Sequence, residues 1–146
     1  IGSAVQMPPG AAGGTPAVVI DTNRVLDLWL FDDPRVDALR DAIARGGARW
    51  LAQPAMREEL ARVLGYPAVL AQLARRQRTA DSVLAAFDRW SHPVPAADPA
   101  PVRCRDPDDQ IFLDLAVAWR ARLFSKDLAV LALARRLAPL GVTVER

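Results

Sequence analysis

The sequence predicts an α/β domain with a parallel sheet covered by helices on both faces. Three observations predict it. Short apolar runs rich in β-branched residues are bounded by turn signals, as strands buried on both faces are. The stretches between them carry helix caps and stops. Strands and helices therefore alternate along the chain, the pattern of successive βαβ units.

Residues 1–16 (IGSAVQMPPGAAGGTP) are rich in Gly, Pro and Ala and show no periodicity, so they are expected to form a disordered leader before a domain over 17–146. Because position 1 is Ile, part of this leader is expected to be a remainder of expression. Ala17-Val18-Val19-Ile20 is the first strand, closed by the turn-and-cap cluster Asp21-Thr22-Asn23. A helix follows over Val25–Phe31, and a second begins at Asp32-Asp33-Pro34 and runs to about Arg45, where Gly46-Gly47 stops it. Arg49–Ala52 reads as the second strand and Pro54–Leu64 as a helix stopped at Gly65-Tyr66-Pro67. Helices follow over roughly 67–78 and 80–90, the second capped by Thr79. The four prolines between His92 and Pro101 mark a connector, and Val102-Arg103-Cys104 is expected to be a short third strand. Asp106-Pro107-Asp108-Asp109 opens a helix to about Ala118. Arg122–Ser125 is the fourth strand, Leu128–Leu137 a helix, and Gly141–Glu145 the last strand.

The chain's 146 residues suffice for one domain with a self-sufficient core, and 51% apolar with 25% charged residues is ordinary for a globular protein. One cysteine, Cys104, permits no internal disulfide, which agrees with a reducing cytoplasm. No apolar run approaches the ~20 residues that span a bilayer, so no membrane partner is expected. A net charge of +2 is not that of a polycation, yet every basic residue except Lys126 is arginine. Arginine's planar fork suits phosphate, although coding bias produces the same composition.

In parallel sheets ligands bind beyond the carboxyl ends of the strands. Asp21 directly follows the first strand, Asp127 lies just after the fourth, and Asp109 sits in the first turn of the helix after Cys104. Capping explains each singly but not their arrival at one sheet edge. In the 54–64 helix Met56, Leu60, Val63 and Leu64 form an apolar stripe. At about 100° per residue Glu59 lies beside that stripe, and Glu58 points nearly opposite, toward solvent. Carboxylates crowded together repel, and a divalent cation removes the conflict. Oxygen ligands without a Cys/His cluster point to Mg²⁺ or Mn²⁺. Asp106 before Pro107 is a good N-cap, with a supporting role beside the acids open to it. Asn23 and Ser125 either cap helices or orient ligands. His92 reads as a solvated connector residue and Cys104 as a small buried hydrophobe.

These segments resemble, in order, the motifs of the PIN-domain family. Val19-Ile20-Asp21-Thr22-Asn23 is similar to its opening strand, Glu59–Leu64 to its helix with the second acid, and Cys104–Asp109 with Phe112–Ala116 to its third acidic region. Leu123-Phe124-Ser125-Lys126-Asp127 is similar to its strand, hydroxyl residue and final aspartate, and Gly141–Val144 to its last strand. The Asp-Pro-Asp-Asp form resembles the branch described as toxins of bacterial toxin–antitoxin systems. The resemblance implies a three-layer α/β/α sandwich around a mainly parallel five-stranded sheet, and Mg²⁺- or Mn²⁺-dependent cleavage of RNA. It implies Asp21, Glu59, Asp109 and Asp127 as catalytic metal ligands, supported by Asn23, Ser125 and Asp106. Lys126 departs from the small or polar residue common at its place; it would contact phosphate or compete for the acids. An antitoxin protein across the acidic groove and a homodimer are the partners such toxins suggest.

Arg57, Arg62, Arg103 and Arg105 lie near the acids in sequence, and Arg57, Arg105 and Lys126 are the expected RNA contacts. Arg75-Arg76-Gln77-Arg78 reads as a solvated helix end or a backbone contact. The four tryptophans, Trp29, Trp50, Trp90 and Trp119, are expected mostly in the core, an exposed ring being free to stack on a base. A PIN-like module that binds RNA or protein without cutting is the competing expectation. An Asp-nucleophile phosphatase fits poorly, because Asn23 stands where its second aspartate belongs.

Overall fold

The computed structural model describes residues 14–146 of the chain, so the expected leader lies almost wholly outside the described residues. Five strands form one sheet: β1 (Ala17–Ile20), β2 (Arg49–Ala52), β3 (Ser91–Pro93), β4 (Arg122–Phe124) and β5 (Thr143–Glu145). Their spatial order is β3-β2-β1-β4-β5 and every pairing is parallel. The expectation of a five-stranded, mainly parallel sheet with helices is met.

The helices are α1 (Thr22–Trp29), α2 (Asp37–Ala44), α3 (Pro54–Val63), α4 (Pro67–Arg75), α5 (Ala80–Trp90), α6 (Gln110–Trp119), α7 (Leu128–Leu131) and α8 (Ala134–Leu137). From β1 the chain steps outward through β2 to β3, then returns past β1 to β4 and β5. Right-handed crossovers in these opposite directions put α1 to α5 on one face and α6 to α8 on the other. Accordingly α1 touches α3 and α5, whereas α6 packs on β1 and β4.

β1 is buried at every position, which is why its four residues are all apolar. Trp50 of β2 is buried and stacks on Trp29 with ring centroids 5.0 Å apart, while Phe87 meets it edge-on at 5.0 Å. This aromatic cluster joins α1 and α5 to the sheet. Trp119 is buried with Arg49 over its ring, and Arg89 covers the half-buried Trp90.

Several expected elements are corrected. Val102-Arg103-Cys104 is not a strand: the Gln110 side chain takes its backbone groups, accepting from Cys104 N–H at 2.6 Å and donating to Val102 O at 3.0 Å. The third strand is instead Ser91–Pro93, inside the expected connector. It is short and at the sheet's edge, where proline is tolerated; His92 is exposed there, paired in register with Leu51. α1 starts earlier than expected, because the Asp21 carboxylate caps it. The next helix opens as a 3₁₀ turn at Pro34–Val36. The expected 128–137 helix divides where Leu133 N–H bonds Val130 O rather than Ala129 O. Gly141, at φ 88°, turns the chain into β5, and a Cβ there would lie 2.7 Å from Arg120 Nε.

A candidate acidic metal centre

β1 and β4 are neighbours in space but not in sequence, and the connections leave them in opposite directions. The crevice beyond their carboxyl ends is the topological switch point. A cleft of roughly 230 Å³ lies there, lined among others by Asp21, Asn23, Glu59, Asp106, Asp109 and Asp127. The acids chosen from the sequence thus meet in one cleft, with Asp108 also on its wall.

Asp21 is held from two sides. Its Oδ1 accepts from Arg24 N–H at 3.0 Å, and its Oδ2 accepts from the hydroxyl of the fully buried Ser125. Burial pushes its carboxyl above the ordinary range, opposed by those two donors. Ser125 Oγ also accepts from Asp127 N–H at 3.1 Å, so one hydroxyl couples the end of β1 to the start of α7. Asp127 caps α7 by accepting from Ala129 N–H at 2.9 Å.

Asp106, Asp109 and Asp127 each offer a carboxylate oxygen, all within 4.8 Å of one another. Asp109 is pushed up to about 8 by burial, by its close contact with the Asp127 carboxyl and by the charges of Asp127, Asp106 and Asp21. Asp127 is held low, first by the same contact with Asp109 and then by Ala129 N–H, with Arg105 helping through its charge. Neither carboxyl brings a donor when both are ionised. Asp109 Oδ2 is also buried without a hydrogen-bond partner among the described residues. A shared proton or a cation between the two relieves that contact.

Glu59 lines the cleft but is not one of the three closest acids; its Oε1 accepts from the Thr22 hydroxyl. Glu58 is exposed, as its helical position predicts. Asn23 is exposed on the cleft wall and makes no side-chain hydrogen bond among the described residues. Asp106 is both the N-cap of a 3₁₀ turn at Pro107–Asp109, accepting from Asp108 N–H at 3.0 Å, and a member of the close group.

The residues expected to contact RNA lie in different surroundings. Arg57 does not line the cleft: it grips Asp88 with two bonds of 2.7 and 2.8 Å. Two residues from Glu59 on a helix is about 200° of rotation, which turns the two side chains to different sides of α3. Lys126 pairs with the buried Asp27 at 2.7 Å, and Arg24 joins the same carboxylate at 3.0 Å. Its ammonium is thereby engaged beside the cleft rather than within the acid group. Arg105 is exposed and close enough to Asp127 to lower its pKa. Arg76 and Arg78 donate to Phe31 O and Trp29 O, and Arg78 also to Asp32, so the arginine-rich end of α4 latches onto the end of α1.

Sequence reasoning overlooked Thr22, Tyr66 and Phe112, which line the cleft with Arg62. Thr22 was within reach, because it lies beside Asp21 at a helix start. Tyr66 carried no signal beyond the helix stop it belongs to.

A family model described as a PIN domain matches residues 17–124. That span takes in Asp21, Glu59, Asp106 and Asp109 and ends three residues before Asp127, whose membership in the cleft is a matter of geometry. No curated protein matches the chain.

Proposed function

The chain belongs to the PIN-domain family, and from that premise we propose that it is a divalent-metal-dependent ribonuclease hydrolysing RNA phosphodiesters in the acidic cleft. PIN domains are generally nucleases. The observation that carries the finer reading is Asp109, whose carboxyl is crowded against those of Asp127 and Asp106 and whose buried Oδ2 has no partner among the described residues. An all-oxygen donor set with one orphaned oxygen fits a hard dication, Mg²⁺ or Mn²⁺, and offers nothing soft enough to favour Zn²⁺.

Asp106, Asp109 and Asp127 would hold the cation, with Asp21 alongside. Bound there, it supplies Lewis acidity, activating water and offsetting charge on the scissile phosphate. The chain's own residues do the positioning. Ser125 and Arg24 N–H fix the Asp21 carboxylate at the end of β1. Ser125 also aligns Asp127 through its backbone. Thr22 tethers one oxygen of Glu59 at the cleft wall and so orients its carboxylate. No side-chain nucleophile is required, and Cys104 has none of the traits of one. It is half-buried, its thiol pKa is raised first by burial, and the sole histidine, His92, is exposed in β3.

A role as the toxin of a toxin–antitoxin pair, with an antitoxin over the cleft and the cytoplasm as its setting, extends this reading from the Asp-Pro-Asp-Asp resemblance. Among the described residues no helix is long and apolar enough to cross a membrane.

The test is cleavage of RNA with Mn²⁺ or Mg²⁺ by the wild type, Asp21→Asn and Asp127→Asn. Asparagine caps helices as well as aspartate does, so both variants keep their fold. Losing a group that acts on the reacting phosphate costs on the order of 10²–10³-fold in rate. Full activity in both variants would refute the assigned site. RNA binding without any cleavage by the wild type would favour a non-catalytic module.

A further inference from the structure

We propose that the turn between α3 and α4 carries a nucleobase-binding subsite, in which Tyr66 stacks one unpaired base and Arg62 holds the adjoining phosphate. The subsite rests on the nuclease reading and names its substrate class: RNA that is single-stranded beside the cut.

Tyr66 is the chain's sole tyrosine, and the residue stays 49% exposed although it lines the acidic cleft. The other large rings are committed elsewhere. Trp29 and Trp50 stack on each other, Trp119 is buried, and arginines cover Trp90 and Phe31. Among the rings lining the cleft, Phe112 is buried, so Tyr66 is the one that offers a face to a ligand.

Its mount is rigid. Gly65 N–H bonds Arg62 O at 3.1 Å, Tyr66 N–H bonds Val63 O at 3.0 Å, and Leu70 N–H bonds Tyr66 O at 2.8 Å. Pro67 fixes the first position of α4. The Tyr66 hydroxyl makes no hydrogen bond with any described residue, so the exposed side chain is open to a ligand.

Arg62 lies in the last turn of α3, four residues before Tyr66, is exposed, lines the same cleft and pairs with no described carboxylate. Arg57 and Arg78, by contrast, are held by Asp88 and Asp32. A free guanidinium beside an open aromatic face matches a phosphate next to its base. In a duplex the base faces are covered by their neighbours, so only an unstacked base reaches the ring. Leu70 is also 49% exposed and Leu128 70%, but neither lines the cleft, which favours nucleic acid over a protein partner at Tyr66.

The test is anisotropy of a labelled single-stranded RNA of about a dozen nucleotides, with Ca²⁺ filling the acidic site. The same strand annealed to its complement, and single strands carrying one abasic nucleotide at successive positions, complete the set. Tyr66→Ala is expected to weaken single-strand binding roughly 10-fold and duplex binding not at all, while Tyr66→Phe binds like the wild type. One abasic position costs the wild type the same factor and costs Tyr66→Ala nothing further. Arg62→Ala weakens binding and lowers the salt slope by about one. Unchanged binding in Tyr66→Ala, equal losses for both RNA forms, or Tyr66→Phe as weak as Tyr66→Ala would overturn the subsite. If metal-dependent cleavage is intact in these cases, the nuclease reading survives; if the wild type neither binds nor cuts RNA, both fall. Unaltered RNA binding with a shift in sedimentation of Tyr66→Ala would make the ring a protein contact and the subsite wrong.

Discussion

Asp109 gives up a proton more reluctantly than any ordinary carboxylate, and that has a consequence for stability. Its carboxyl titrates at about 8 in the folded chain and near 4 in an unfolded one. Between those values the folded state holds the extra proton, so stability falls as pH rises across the window. Asp21, raised by burial, adds in the same direction. Asp127, held low, acts oppositely: its contribution is present above the unfolded value and is lost in acid. With EDTA present, the urea midpoint of the wild type is expected to drop between about pH 5 and pH 8. Asp109→Asn flattens that slope and is the more stable protein at the upper end. A slope that survives the substitution would show that Asp109 is not its source. At this scale much of the site was legible: Asp21, Glu59, Asp109 and Asp127 stood at strand ends or beside an apolar stripe. Asp106 reads from sequence as a cap, and it is one, but no local rule says that a capping carboxylate also lies beside two others. Arg57 lies apart from the cleft, paired with Asp88, because nearness in sequence does not say which side of α3 a side chain leaves from.

Among the elements, the irregular stretch between β3 and α6 depends on a single amide. Gln110 is buried, accepts from Cys104 N–H, and donates to Val102 O and, at 2.8 Å, to Asp114 Oδ1. Asp114 Oδ1 in turn accepts from Ala100 N–H at 2.8 Å. These bonds replace the ladder that an edge strand would have supplied, and they end two residues before Asp106. Gln110→Ala strands several polar groups in the interior and is expected to cost about 2–3 kcal/mol, read from urea unfolding. It also weakens Mn²⁺ binding in calorimetry, because the loop carrying Asp106 loses its anchor. Thr79→Ala is the control. It removes the cap of α5, whose hydroxyl accepts from Ser82 N–H at 3.1 Å, and costs about 1 kcal/mol without touching metal affinity. Equal Mn²⁺ affinity in both variants would mean that the Gln110 network does not position the site. The same network explains the misread strand. Val102-Arg103-Cys104 has strand-like residues, but strand identity needs a partner, and here a side chain takes that place. β3 was hidden for the converse reason: Ser91-His92-Pro93 has no strand propensity, and pairing with β2 alone makes it one.

For the whole molecule, alternating strand and helix signals made the parallel sheet legible, while the strand order was not. Periodicity speaks of each element separately, and the order β3-β2-β1-β4-β5 arises from crossovers that no local signal encodes. That order matters because it makes β1 and β4 neighbours and so brings Asp21 beside Ser125 and Asp127, more than a hundred positions along the chain. Acids from three distant segments repel one another only in the folded state, since the unfolded chain holds them apart. A cation that relieves this repulsion therefore binds the folded chain alone and stabilises it by mass action, about 2.7 kcal/mol at a hundred times its dissociation constant. For a domain of this size that corresponds to roughly 10 °C in Tm. Mn²⁺ is expected to raise the wild-type Tm by about that much at pH 8 and by less at pH 5, where protons compete for the same oxygens. Asp109→Asn and Asp127→Asn lose the increment, whereas Glu58→Gln, exposed and away from the cleft, keeps it. A Tm indifferent to Mn²⁺ at both pH values would mean that the crowded carboxylates are relieved by protons alone, and the metal-dependent reading would go with it.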